Sequence, residues 1–232
     1  MQSLVSSSTA AALRNPRRGS TVLLMHGWEG RPTQFALLIR GLVDAGYGVI
    51  ALDAPAHGRS PGREANVVLF ARALLEAASE LPALLAVIGH SMGGASALLA
   101  TQMGLRCETL VTVAAPSCIL GLLRGFARFM GLPAEARAHF VRAVETTAGI
   151  PAAHLDVQRY QLELPGLIVH AEDDPVVPVG EADLIHQAWF DSQLLRLPAG
   201  GHQRLLSDPV LLQAVLELLE QVPQASLKAL AS

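Results

Sequence analysis

The chain predicts an α/β fold, a mostly parallel central sheet flanked by helices, with a small helical insertion after a strand ending near Ala115. Three observations carry that prediction. Short β-rich apolar runs alternate with stretches of helical periodicity, the order expected of a parallel sheet covered on both faces. Gly89-His90-Ser91-Met92-Gly93 stands between an apolar run and a small-residue helical stretch, so a serine occupies a sharp strand-to-helix turn. Two later apolar runs end in a set of acids and in a histidine, at the strand edge where such sheets build sites. The 232 residues, 51% apolar and 16% charged, suit one α/β domain over the whole chain with ample material for a core.

Thr21 to Met25 is the first clear strand. Phe35, Leu38, Ile39, Leu42 and Val43 then fall on one helical face, and Gly46 offers a C-terminal stop. Tyr47 to Leu52 reads as the next strand. Val67, Val68, Ala71, Leu74, Leu75 and Ala78 repeat the helical period before a buried strand at Leu84 to Ile88. The small-residue helix follows over Gly94 to Gly104, and further strands are expected at Thr109 to Val113, Leu167 to Val169 and Leu194 to Leu197. In the last helix Asp208 can cap, Pro209 suits the first turn, and Leu211, Leu212, Val215, Leu218 and Leu219 form the apolar face. No internal repeat or linker divides the chain.

Between Ala115 and Leu167 lie about fifty residues, far more than an ordinary connection needs. The insertion, about 117–163, is expected to fold as a small lid with helices over Ile119 to Met130 and Glu135 to Thr147. The first carries Leu122, Leu123, Phe126, Phe129 and Met130 beside Arg124 and Arg128. Such a face suits covering a pocket better than holding a membrane, because the helix is short.

A serine hydroxyl is a weak nucleophile. It needs a base to take its proton, a carboxylate to orient that base, and N–H donors for the developing oxyanion. Glycines two residues before and after Ser91 fit a turn too tight for a Cβ, and the following helix aims its first N–H groups at the reaction. The strand at 167–169 runs into His170-Ala171-Glu172-Asp173-Asp174-Pro175-Val176-Val177-Pro178, and the strand at 194–197 into Pro198-Ala199-Gly200-Gly201-His202. Serine, then acid, then His202 is one of the three known chain orders for a hydrolytic triad. The residues alone leave open whether Asp173 or Asp174 orients the histidine, the other alternative for Asp174 being a cap on the helix near Val179.

From roughly Thr21 to Gln221 the chain resembles the α/β-hydrolase family, in its serine esterase and lipase-like branch. A His-Gly loop appears as His26-Gly27-Trp28-Glu29-Gly30, an Asp-x-x-x-His-Gly-x-Ser loop as Asp53-Ala54-Pro55-Ala56-His57-Gly58-Arg59-Ser60, and the nucleophile elbow as Gly89 to Gly93. The resemblance implies Ser91 as nucleophile, His202 as general base, and an oxyanion hole from the N–H groups of Trp28 and Met92. The family's Asp-x-Val-x-Pro acid loop maps its acid to Asp174. Trp28, Leu122 and Phe126 are then the expected substrate-binding side chains. Ala56 and Ala171 stand where the family commonly has glycine. The segment before Thr21 is short and poor in strand signals, so the sheet is expected to be a strand or two smaller than is common.

His26 and His57 are expected to bond loop backbone, His90 to point away from the substrate, and His139 and His154 to be exposed. None has zinc-ligand spacing, and acyl transfer through such a triad requires neither metal nor cofactor. The net charge of −3 gives no field for nucleic acid, Arg14, Arg17 and Arg18 reading as a solvated cluster. Met1 to Ala12 lacks the continuous apolar stretch of a secretory signal, and no run of apolar residues is long enough to span a membrane. With Cys107 and Cys118 alone there is no disulfide framework, which fits the cytoplasm. The expected activity is hydrolysis of carboxylic esters or thioesters with small to medium apolar acyl groups, with a small molecule as partner. Carbon–carbon bond hydrolysis, lactone hydrolysis, acyl transfer and plain small-molecule binding remain open on the same residues, and nothing in the sequence sets an oligomeric state.

Overall fold

The computed structural model describes residues 21–81 and 83–222. Six strands, β1 (Thr21–Met25), β2 (Gly48–Leu52), β3 (Ala86–His90), β4 (Thr109–Val113), β5 (Gly166–Ala171) and β6 (Ser192–Leu197), form one sheet in the order β2-β1-β3-β4-β5-β6. Every pairing in it is parallel, with Met25 opposite both Leu52 and Gly89, and Val113 opposite both His90 and Val169. The helices are α1 (Ala36–Asp44), α2 (Val67–Ser79), α3 (Met92–Gln102), α4 (Ile119–Phe129), α5 (Ala134–Ala148), α6 (Gly180–Ala188) and α7 (Pro209–Gln221). The Arg14, Arg17 and Arg18 cluster and any strand before Thr21 lie outside the described residues.

Alternation along the strands divides the core in two. Leu23 and Met25 of β1 join Val87, Leu98, Ile168 and Trp189 in one buried cluster, while Val22 and Leu24 join Leu38, Ile88, Val111, Val169, Leu211 and Val215 in the other. Both sheet faces are thus covered, which is why the strands read as continuous apolar runs rather than alternating ones. α3 is buried along its first nine residues, Met92 to Ala100, many of them small, so it packs closely against its neighbours without an apolar stripe of its own.

Several element limits differ from the sequence reading: β5 and β6 are longer than expected, α4 ends at Phe129, and α5 spans Ala134–Ala148. The strand before Ser91 starts at Ala86 and runs on through Gly89 and His90, because those two residues pair with Met25 and with Thr112 and Val113 of their neighbours. α3 accordingly starts at Met92, two residues before Gly94, and ends at Gln102. The second strand begins at Gly48 rather than Tyr47. Capping at the last helix matches its signals, Asp208 accepting from the Val210 N–H with Pro209 in the first turn. Asn66, whose side chain accepts from the Leu69 N–H at 2.9 Å, caps α2 in the same way and was legible as an asparagine directly before the first apolar residue.

The segment between β4 and β5 holds α4 and α5, and its two ends clasp. Val157 N–H donates to Ser117 O and Ile119 N–H to Leu155 O, both at 2.9 Å, making a short antiparallel bridge between Cys118 and Asp156. Glu181 of α6 accepts from both the N–H and the hydroxyl of Ser117, at 2.8 and 2.5 Å, which ties that neck to the sheet's carboxyl edge. Among the described residues no helix is long and apolar enough to cross a membrane.

Candidate active site

Ser91 sits directly after β3, at the centre of the sheet, with φ 55° and ψ −123°. A non-glycine residue in that region is strained by about 1–3 kcal/mol, and the surroundings hold it there. Its N–H donates to Val113 O at 2.8 Å, and its carbonyl accepts from the Gly94 and Ala95 N–H groups that open α3. The flanking glycines are required by close approach. A Cβ on Gly89 would collide with the Gly93 carbonyl and stand 2.6 Å from Gly94 Cα, and one on Gly93 would drive into the Met25 and His26 carbonyls. A Cβ on Gly27 would lie 2.8 Å from that of Ser91, so the loop after β1 packs directly on the serine.

The turns after β5 and β6 bring the other expected groups to it. His202 Nε2 lies 2.9 Å from Ser91 Oγ, and His202 Nδ1 lies 2.8 Å from Asp174 Oδ2. A carboxylate only accepts, so Nδ1 carries the proton and Nε2 presents a lone pair to the serine hydroxyl. Asp174, not Asp173, faces the histidine. Its other oxygen accepts from the Val176 and Val177 N–H groups at 2.8 and 2.9 Å, an Asx turn that sets the carboxylate's direction. Asp173 instead accepts from the Gly201 N–H at 2.7 Å and so anchors the loop that carries His202.

A model of the Alpha/beta hydrolase family matches residues 22–214. The chain belongs to this family. It is 25% identical to the pimeloyl-[acyl-carrier protein] methyl ester esterase of Aeromonas salmonicida, across 83% of this chain and 92% of that one. Against the protein of the same name from Nitrosomonas europaea it is 24% identical, across 82% and 92%. In fold it is similar to alpha/beta hydrolase domain-containing protein 10 from mouse, with a TM-score of 0.72, 16% identity, and coverage of 94% of this chain and 99% of that one.

In this alpha/beta hydrolase four histidines outside the Ser91–His202–Asp174 line, His26, His57, His90 and His170, hold backbone. His26 and His57 bond the loops after β1 and β2, as their positions in the sequence suggested. His139 and His154 are exposed. His170, to which the sequence gave no role, is fully buried and places Nε2 2.9 Å from Val177 O and 3.4 Å from Asp174 Oδ2. Both are acceptors, so that nitrogen carries a proton and Asp174 gains a second imidazole donor. Burial raises the Asp174 carboxyl, but the hydrogen bonds from His170, His202, Val177 and Val176 outweigh it and hold the group well below the usual carboxylate range.

His90 is buried beside His202, with ring centroids 4.8 Å apart, and its Nε2 donates to the backbone oxygen of His202 at 2.8 Å. Burial, and next the neighbouring His202, push it from 6.5 down to about 4. The folded protein therefore binds fewer protons than the unfolded chain between those values. Stability is whole above about pH 6.5 and falls as pH drops through 4, by an amount of order 3 kcal/mol. In the His90→Gln variant, which keeps a donor for His202 O and does not titrate, urea denaturation at pH 7.5 and 4.5 is expected to show a smaller acid loss than in wild type, by at least about 1 kcal/mol.

Ala56 has φ 61° in the loop after β2, a left-handed conformation that explains why glycine is common there in the family. Ala56→Gly is expected to raise stability by roughly 0.5 kcal/mol, relief of strain exceeding the added entropy of the unfolded chain. The midpoint of urea unfolding checks it.

Of the expected lid side chains, Leu122 is half-buried against the core, and Phe126 is 52% exposed with its ring 5.9 Å from that of Phe140 on α5. Trp28 is 57% exposed and meets the His57 ring edge-on. Two clefts of about 450 Å³ lie at the opposite, amino edge of the sheet, one beside Phe190 and Gly166 and one beside Arg106 and Gln161, far from this chemistry. Among the described residues no group of three or more His, Cys, Asp or Glu is placed to hold a metal ion.

Proposed function

We propose that the protein is a serine hydrolase that cleaves carboxylic esters or thioesters of small to medium apolar acyl groups through an acyl-enzyme. The observation that carries this reading is the unbroken line Ser91 Oγ, His202 Nε2, His202 Nδ1, Asp174 Oδ2, with spacings of 2.9 and 2.8 Å, set on a strained elbow. Strain of that kind persists where function selects it. Two relatives named as methyl ester esterases support ester cleavage.

His202 takes the Ser91 proton as the oxygen attacks the acyl carbon, and Asp174 stabilises the imidazolium that forms. The oxyanion is met by the N–H of Met92, which opens α3 and has no acceptor within its helix, and by that of Trp28. His202 then protonates the departing alcohol or thiol, and water, activated by the same base, releases the acid. The 117–163 insertion acts as a lid of the single domain, its Leu122 and Phe126 facing the acyl chain with Trp28 at the mouth. Free Cys107, whose thiol burial pushes up to about 12 and so keeps unreactive, suits a reducing cytoplasm.

Hydrolysis of p-nitrophenyl esters from acetate to palmitate tests the reading. Activity peaking at one acyl length is the expected result. Inertness across the series, together with failure of a fluorophosphonate to label Ser91, overturns it in favour of a binding protein.

A further inference from the structure

We propose that His26 and His57 are positioning residues that aim the Trp28 N–H at the oxyanion, one imidazole gripping each of the two peptide groups that flank Trp28. The inference rests on the reading of Ser91 as nucleophile and of Trp28 as an oxyanion donor.

In a trans peptide the C=O and the N–H lie in one plane and point opposite ways, so whatever fixes the Gly27 carbonyl also fixes the Trp28 N–H. His26 Nδ1 lies 2.8 Å from Gly27 O. The Ala54 N–H donates to the other nitrogen, Nε2, at 3.0 Å, which leaves the proton on Nδ1 for Gly27. The second peptide, between Trp28 and Glu29, is held from the far side. Glu29 N–H donates to His57 Nε2 at 3.0 Å, and His57 Nδ1 donates to Pro55 O at 2.9 Å.

The arrangement is reciprocal. A histidine of the first loop takes its anchor from the backbone of the second, and a histidine of the second reaches back to the first. The two rings stand 5.1 Å apart, and both meet Phe70 edge-on. Both loops need such a brace. Glu29, at φ 53°, and Ala56, at φ 61°, are held in the left-handed region, which costs a non-glycine residue about 1–2 kcal/mol. Without acceptors on the imidazoles the turn that Gly30 N–H closes on Gly27 O at 3.1 Å would relax toward ordinary angles and carry the Trp28 N–H with it.

The test is a pair of variants of equal shape. His57→Gln offers an acceptor where Nε2 stood, and His57→Met does not. With p-nitrophenyl butyrate, H57M is expected to lose about 10- to 100-fold in kcat with KM within about twofold, the mark of an interaction made in the transition state, while H57Q stays within about threefold of wild type. Fluorophosphonate labelling of Ser91 is expected to slow in parallel. Should H57M fail to fold, His26→Asn, which keeps a donor for Gly27 O, against His26→Leu, which lacks one, asks the same question. Equal losses in both members of a pair indicate packing alone and overturn the inference, as does the absence of loss in both. A wild type that neither hydrolyses nor labels takes the inference down together with the hydrolase reading, whereas an active wild type with unchanged variants sinks this inference alone.

Discussion

Replacing Ser91 by alanine is expected to lower kcat on the best p-nitrophenyl ester by on the order of 10⁵-fold, because among the described residues no other side chain stands at hydrogen-bonding distance from His202 Nε2 to attack in its place. Replacing it by glycine should abolish activity equally while stabilising the fold by about 1 kcal/mol, since glycine adopts φ 55° without a Cβ penalty. The opposite signs are the informative part. A residue kept for packing would lose stability on truncation, and one kept for reaction loses rate while the fold gains. Steady-state kinetics and urea denaturation on the three proteins measure both. An alanine variant within tenfold of wild type would remove Ser91 from the mechanism.

Asp174→Asn is expected to cost on the order of 10³- to 10⁴-fold in kcat. The amide would present a donor or a neutral oxygen where His202 Nδ1 now meets a carboxylate, so the tautomer that leaves Nε2 free to accept the serine proton is no longer enforced, and the imidazolium loses its counter-charge. Asp173→Asn is expected to stay within about tenfold, because an amide oxygen can still accept from Gly201 N–H. The reverse ranking would move the acid one residue back. Because the Asp174 carboxyl is held below the ordinary range, its stabilising effect is fully present above the usual carboxylate pKa and is lost progressively as pH falls from there through the depressed value. Above the usual carboxylate range it contributes no acid limb of its own, so in wild type the loss of stability that begins below about pH 6.5 should follow the buried histidines His90 and His26, both held below their ordinary value by burial.

Local signals carried most of the architecture. Alternation of buried strands with amphipathic helices, Gly46 after α1 and Asp208-Pro209 before α7 are all set within a few residues of where they act, and they are visible in a string. The glycines around Ser91 belong to the same class, since a turn that excludes a Cβ leaves glycine as its trace. Asp173 and Asp174 could not be separated that way. Which of two adjacent carboxylates meets His202 depends on the Asx turn to Val176 and Val177 and on where the loop after β6 arrives from 28 residues away.

What the sequence by itself determined was the fold class, the strand ends at which reactive groups gather, and the serine, acid run and histidine that form them. Only the tertiary structure decided the partners of the buried histidines and the clasp at Ser117. His90 reaches the backbone of a residue 112 positions on, and His170, His26 and His57 each satisfy a nitrogen on backbone of another turn. The physical reason is that periodicity and turn chemistry report on a residue's own backbone, whereas a buried polar atom must find whatever acceptor or donor the folded chain brings to it.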